Sequence, residues 1–326
     1  MNAVDHNNVV IFDDRGIPSI MCRFVRPKDT EEVQAVFKIG DKVADAIYIS
    51  KYPNIVIDGR AYSMPMADPT VNITFDEAVQ ACRCKGLGWH LMTAVEYEYL
   101  LNQSREKGTM PHGNTDWSKD YYHNEEQGKV SNLGRTYTGT GPVTWNHDHT
   151  PYGVSDLNGN VWEWLAGLRI KDGVIEFIPG NKAASPYCDL SKDSTEWQQA
   201  ETSKGPVRAN VECGEITITD AVAADDYEPN YDGVRIEELE VKLSEIPQVL
   251  KDLGIIPDKR AEEEGKTYVY FDATEGEYLP LRGSAFGHTS YSGSSALDLN
   301  GPRSNSYDSI GFRSAFYEVN GKLITE

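Results

Sequence analysis

Apolar positions along the chain fall into segments of different period, and each period predicts an element. Within residues 1–60, "NVVIFDD", "AVFKIG" and "AIYISKYPNIVID" are rich in β-branched residues and read as strands. In "NITFDEAVQACRCKG" the period becomes helical: Phe75, Ala78, Val79 and Cys82 share a face, and Gly86 supplies a stop. "TAVEYEYLLNQSREKG" repeats the scheme. Thr93 and Glu96 stand at capping-box spacing, ahead of a face made by Val95, Tyr99 and Leu100. Residues 108–150 have no period. They are dense in Gly, His, Asn, Thr and Trp, and such a stretch must satisfy its backbone through side chains.

"YGVSDLNGNVWEWLAGLRI" then passes from polar loop into an aromatic strand. The character changes again between 171 and 277. "AASPYCDLSKDSTEWQQAETSKGP" reads as polar loop, and "VRIEELEVKLSEIPQVLKDLG" as an amphipathic helix packed on its own domain. In the latter, Leu239, Leu243, Ile246, Leu250 and Leu253 form the stripe, and Pro247 is expected to end or kink it. "TYVYFD" at 267–272 reads as a strand. Two apolar strand-like pieces, "EYLPLRG" and "IGFRSAFYEV", close the chain around the polar segment "SAFGHTSYSGSSALDLNGPRSNSYDS" at 284–309.

Composition narrows the function. The 326 residues include six Trp and eighteen Tyr, enough for a real core in one large domain with insertions or in two domains. A formal charge of −20 argues against nucleic acid or an anionic membrane as partner, because no basic stripe is present to neutralise phosphates. The five cysteines (Cys22, Cys82, Cys84, Cys188 and Cys213) form no even framework, and "CRC" is too tightly spaced for a zinc pair; reduced thiols are expected. "MNAVDHNNVVIFDDRG" lacks the basic n-region of a classical signal peptide, and no apolar run is long enough for membrane insertion. His147 and His149 in "WNHDHTPYG" read as a surface loop rather than a metal pair.

"GNVWEW" (159–164) is the sharpest short motif. On a strand, Trp162 and Trp164 point to one face and Glu163 to the other. "GVSDLNGNVWEW", followed by "LRGSAF" and "IGFRSAF", resembles the formylglycine-generating-enzyme branch of the C-type lectin fold. "AIYISKYP", the segment from "NITFDEA" to "AVEYEYL", and "MPHGN" match that branch in order. The resemblance implies an α+β fold: a C-type lectin-fold domain over 36–170 and 278–326, an N-terminal strand and turn segment over 1–35, and a long insertion over 171–277. It also implies a calcium site on Asp156, the Gly159 and Val161 carbonyls, and Glu163, an all-oxygen set suited to that ion. The enzymes of this branch use a cysteine pair between their R-G-G-S-W and G-F-R blocks. No cysteine lies between Arg282 and Arg313 here, so no catalytic residue is assigned and no cofactor is required.

A second branch of the fold fits these blocks better. "RGSAFGH", "SALDLNG" and "RSNSYDSIGFRSAF" resemble the C-terminal blocks of variable proteins of diversity-generating retroelements, in which adenines of AAC or AAT codons are randomised. Such codons never yield Lys, Glu, Gln, Met or Trp. Those types fill 62 of the 326 positions, yet none occurs in the 40 positions from Tyr278 to Tyr317. The resemblance marks Ala285, Gly287, His288, Tyr291, Asp298, Asn300, Gly301, Tyr307, Asp308 and Ser309 as exposed ligand-binding positions. Ala296, Leu297, Leu299, Ile310 and Phe312 would be the fixed core between them. It implies a protein or glycan ligand on a host or cell surface, display on a virus particle such as a tail fibre, and compatibility with a homo-oligomer. The composition, Tyr with Ser, Gly and Asn, is that of a binding surface. A formylglycine-generating-type oxidase and a lectin of fixed specificity are the alternatives.

Overall fold

A computed structural model describes residues 6–30, 32–221 and 232–323. The two ends of the chain meet in one sheet, ordered His6–Phe12, Pro18–Val25, Ala46–Ser50, Ser314–Val319 and Lys322–Leu323, with His90–Leu91 also on Ser314–Val319. Ala46–Ser50 is buried throughout, being paired on both edges and covered on both faces. "AVFKIG" departs from the strand expectation. Adjacent Val36 and Phe37 are both buried, which a 3-10 turn at Ala35–Phe37 permits and strand alternation does not; only Lys38–Ile39 is extended.

The two helices follow their sequence signals. Helix α1 (Phe75–Arg83) starts at a Thr74–Glu77 capping box and buries Phe75, Ala78, Val79, Ala81 and Cys82. Helix α2 (Ala94–Lys107) starts at the Thr93–Glu96 box and stops at Gly108 in the left-handed conformation, φ 65°. Its packing is less one-sided than the stripe suggests: Leu100 is buried but Val95 and Tyr99 only partly, while Tyr97, Glu96 and Glu98 are fully interior. Glu96 is held by the Thr93 N–H and His90, and Glu98 by Arg105 and Arg282.

Residues 171–277 form a two-stranded ribbon, Glu201–Thr202 with Gly205–Pro206, and contribute to two larger sheets. One is ordered Glu240–Lys242, Glu215–Thr219, Arg208–Glu212, Val174–Phe177, Leu168–Lys171 and Glu277–Tyr278, with Gln198–Gln199 on Val174–Phe177. The other receives Val234–Arg235 and Tyr268–Phe271 at one edge. The long amphipathic helix expected over "VRIEELEVKLSEIPQVLKDLG" does not form. Val234–Arg235 pairs with Tyr268–Phe271, a 3-10 turn covers Ile236–Glu238, and Glu240–Lys242 pairs with Glu215–Thr219. Only α3 (Gln248–Asp252) is helical, and Pro247 is its N-cap rather than its end. Two open sheet edges claim the first half of the segment, and proline is tolerated at a helix start because it has no N–H to leave unpaired. Of the stripe, Leu250 and Leu253 are fully buried, Leu239 and Leu243 pack at the core's margin, and Ile246 is exposed. Among the described residues no helix is long and apolar enough to cross a membrane.

Candidate functional site

The polar C-terminal segment is laid over a six-stranded sheet. Its order is Val234–Arg235, Tyr268–Phe271, Leu297–Leu299, Leu281–Arg282, Trp162–Trp164 and Ile310–Phe312. Alternation divides this sheet into two faces. Val269, Phe271, Leu297 and Leu299 point into the main core with helix α2, whereas Trp162, Trp164, Leu281, Ile310 and Phe312 join a second cluster with Phe75 and Phe286.

Glu163 and Arg282 lie on the inner face and lock the sheet. Arg313 is fully buried; its Nε and Nη2 bind both oxygens of Glu163 at 2.7 and 2.6 Å, and its other N–H groups reach the Ser50, Lys51, Ser155 and Asp156 carbonyls. Arg282 donates to the Ser295, Leu253 and Gly254 carbonyls, tying the polar segment to the α3 region. Glycine is required where the "GNV" and "RG" turns meet. Gly159 donates to the Gly283 carbonyl at 2.6 Å, both have positive φ, and a Cβ on either would sit 2.5 Å or less from a backbone oxygen. Asn160 ties down the 108–150 loop through Asn114 and Thr136.

Eight of the ten expected ligand-binding positions reach solvent. Gly287, Tyr291, Tyr307 and Asp308 are exposed; His288, Asp298, Asn300 and Ser309 are half-buried. Ala285 and Gly301 are corrections, since both are buried. Ala285 packs in the cluster of Trp162 and Phe286, and a Cβ on Gly301 would lie 3.8 Å from the Trp164 ring. Loop residues beside a large indole are drawn under it, which residue type alone does not reveal. The frame positions Ala296, Leu297, Leu299, Ile310 and Phe312 are all buried.

The exposed positions form two groups. Tyr307, Asp308 and Ser309 lie at the start of the Ile310–Phe312 strand, where the Asp308 carbonyl accepts from Arg135 and the Ser309 carbonyl accepts the Trp162 N–H. His288, Tyr291 and Asp298 surround an aromatic wall that composition did not reveal. Trp162 meets His288 at 5.2 Å and Tyr270 at 6.3 Å between ring centroids, and Tyr268 meets Tyr291 edge-on at 4.5 Å. Tyr268 and Tyr270 come from the segment read as an insertion. Their alternation with Val269 and Phe271 in "TYVYFD" was the available signal. Gly287 sits beside the exposed Trp117, which packs edge-on against Phe286.

Asp298 is directly opposite Tyr270 in the sheet, and its Oδ1 accepts the Asn300 N–H at 2.8 Å. Burial pushes its pKa up to about 7, only partly opposed by that bond. Burial also lowers the His288 pKa. Because the folded state holds the Asp298 proton more tightly than the unfolded chain, this group's contribution to stability is fully present below pH 4 and is lost as pH rises through 7. Asp298→Asn should therefore match the parent near pH 4 and exceed it by about 1–2 kcal/mol at pH 8, after allowance for partial exposure. Urea melts at the two pH values measure the difference. Equal stability of parent and variant at pH 8 would contradict it.

The residues expected to hold calcium do not fit that ion. Both Glu163 oxygens are bound by Arg313, and the Gly159 carbonyl accepts the Val161 N–H at 2.8 Å. Asp156 is buried, accepts the Gly139 N–H, and has its pKa pushed up to about 6 by burial. Among the described residues no group of three or more His, Cys, Asp or Glu is placed to hold a metal. Adding calcium or EDTA should move the melting temperature by less than about 1 °C, because a ligand stabilises only the state it binds.

Residues 50–208 match the family described as the sulfatase-modifying factor enzyme 1-like domain. Over that span the α+β fold is of the formylglycine-generating-enzyme type. The mouse formylglycine-generating enzyme is 36% identical over 105 residues, 30% of this chain and 27% of its own length, so this chain spans about a quarter of that relative. Similar solved structures include PvdO from Pseudomonas aeruginosa (14% identity, 95% of this chain and 98% of that one, TM-score 0.41) and Treponema denticola variable protein 1 (12%, 95% and 99%, 0.37). A third is the Major Tropism Determinant I1 variant (13%, 97% and 56%, 0.35).

Proposed function

We propose that this is a ligand-binding protein without catalytic chemistry, whose C-terminal face is diversified by a retroelement so that its ligand differs among variants. One observation carries the reading. Within 284–309, solvent-reaching positions are interspersed with buried frame positions, and every residue of the 40-position stretch 278–317 belongs to the set that adenine randomisation of AAC or AAT can produce. Variation at the exposed positions would leave the core untouched, and a rigid Tyr-rich face supplies contact area at low entropic cost. Recognition of a host surface from a virus particle is the finer form of this proposal and rests on the sequence resemblance.

An oxidase of the formylglycine-generating type lacks its nucleophile at this place. Elsewhere, burial pushes the Cys22 thiol up to about 12 and the Cys188 thiol to about 11, away from reactive thiolates. The test is a library randomising the eight solvent-reaching positions within the allowed codon set. Most members should remain folded, and selection should recover binders to unrelated proteins. Wholesale unfolding of the library, or copper-dependent oxidation of a cysteine peptide by the parent, would overturn the proposal. A neighbouring reverse-transcriptase gene with a near-copy of the 284–309 coding sequence, carrying adenines at these codons, is the genomic counterpart.

A further inference from the structure

We propose that the aromatic wall around Asp298 is a cation-recognition site that takes an alkylammonium or guanidinium group, the side chain of a lysine or arginine on a protein ligand. The inference deepens the diversified-face reading and rests on it. Asp298 differs from the glutamates beneath and beside the C-terminal segment. Glu98, Glu163, Glu264 and Glu277 each face at least one arginine, whereas Asp298 has no ion pair among the described residues. Its Oδ1 takes one backbone N–H, and its Oδ2 accepts no hydrogen bond among the described residues.

Its neighbours across the sheet are Leu281 on one side and Tyr270 on the other, and the side beyond Tyr270 is aromatic. Tyr270 is its cross-strand neighbour, Trp162 lies edge-on to Tyr270, and Tyr268 and Tyr291 extend the wall. Indole and phenol faces attract cations through their quadrupoles, most strongly where water is thinned out. A half-buried carboxylate against such a wall lacks only the positive charge that would compensate its desolvation. The nearest guanidinium along the wall, on Arg235, is already hydrogen-bonded to Tyr268 and lies 3.6 Å from Glu237. The titratable group that faces Asp298 is the Tyr270 phenol, and neither it nor Tyr268, Tyr291 and His288 farther along the wall is cationic at pH 8. The chain's charge of −20 favours approach of a basic ligand as well.

The division of labour follows from the diversified face. Trp162, Tyr268 and Tyr270 belong to the fixed frame, and position 298 sets the charge that the box accepts. Variants with Ser, Asn or Tyr at 298 would keep the aromatic walls and lose the preference for cations.

The test uses the full chain labelled with 5-fluorotryptophan, the Trp162 resonance being assigned through Trp162→Phe. n-Butylammonium, methylguanidinium and neutral n-butanol are titrated at pH 8 and pH 5.5. The cations should shift the Trp162 signal saturably, and n-butanol should not. Affinity should fall at least ten-fold in Asp298→Asn, which is expected to be no less stable than the parent, and several-fold in the parent at pH 5.5, where Asp298 takes up its proton. Tyr270→Ala should weaken binding comparably. An equal response to n-butanol, no saturable response to either cation, or unchanged affinity in Asp298→Asn would each overturn the proposal. None of these outcomes bears on the diversified face itself, which the folding of the randomised library decides separately.

Discussion

Replacing Arg313 with alanine should cost about 4 kcal/mol or more and leave little folded protein at 37 °C. The side chain is wholly buried, binds both oxygens of Glu163, and donates to four main-chain carbonyls from two distant parts of the chain, 50–51 and 155–156. Truncation would strand a buried carboxylate and leave those carbonyls short of donors, and each unmade bond has its own desolvation penalty. Arg313→Lys should also fail, because a single ammonium cannot span a bidentate carboxylate and two pairs of carbonyls. Circular dichroism and denaturant melts of purified protein give the result. A variant melting within 5 °C of the parent would mean that the sheet is held by its apolar contacts instead.

The second large effect should come from one side chain of the alternating segment. Leu299→Ala should destabilise by about 3 kcal/mol, since Leu299 is fully buried in the main core and the cavity would not fill. Tyr307→Ala, eight residues on and 59% exposed, should change stability by no more than about 0.5 kcal/mol. The contrast is the physical requirement for a diversified face: substitution must be tolerated at the exposed positions while their near neighbours hold the sheet. Comparable losses at both positions would remove that basis.

Much of this was legible in the sequence because local rules dominate where it was read. The capping boxes at Thr74 and Thr93 fix both helix starts through contacts three residues apart. Trp162, Glu163 and Trp164 divide between faces as a period of two demands, while the buried frame within 284–309 was marked by the family resemblance. Where two long-range demands compete, local reading fails. The stripe from Leu239 to Leu253 has helical period, yet the edge at Glu215–Thr219 takes Glu240–Lys242 into its sheet, and Val234–Arg235 just before the stripe pairs with Tyr268–Phe271. Ala285 and Gly301 resemble loop residues until the indoles above them are seen.

By itself, then, the sequence determined the two helices and the absence of a cysteine between Arg282 and Arg313, while its resemblance to known families marked the fold class and the frame within the C-terminal segment. The helices depend on residue type and short spacing alone. Only the tertiary structure decided that Glu163 is committed to Arg313 rather than open to calcium. It likewise decided that Tyr268 and Tyr270, from a segment read as an insertion, wall the face on which Asp298 lies. Which carboxylate finds an arginine and which is left facing aromatic rings depends on partners 28 to 150 residues away along the chain, a separation no local pattern records.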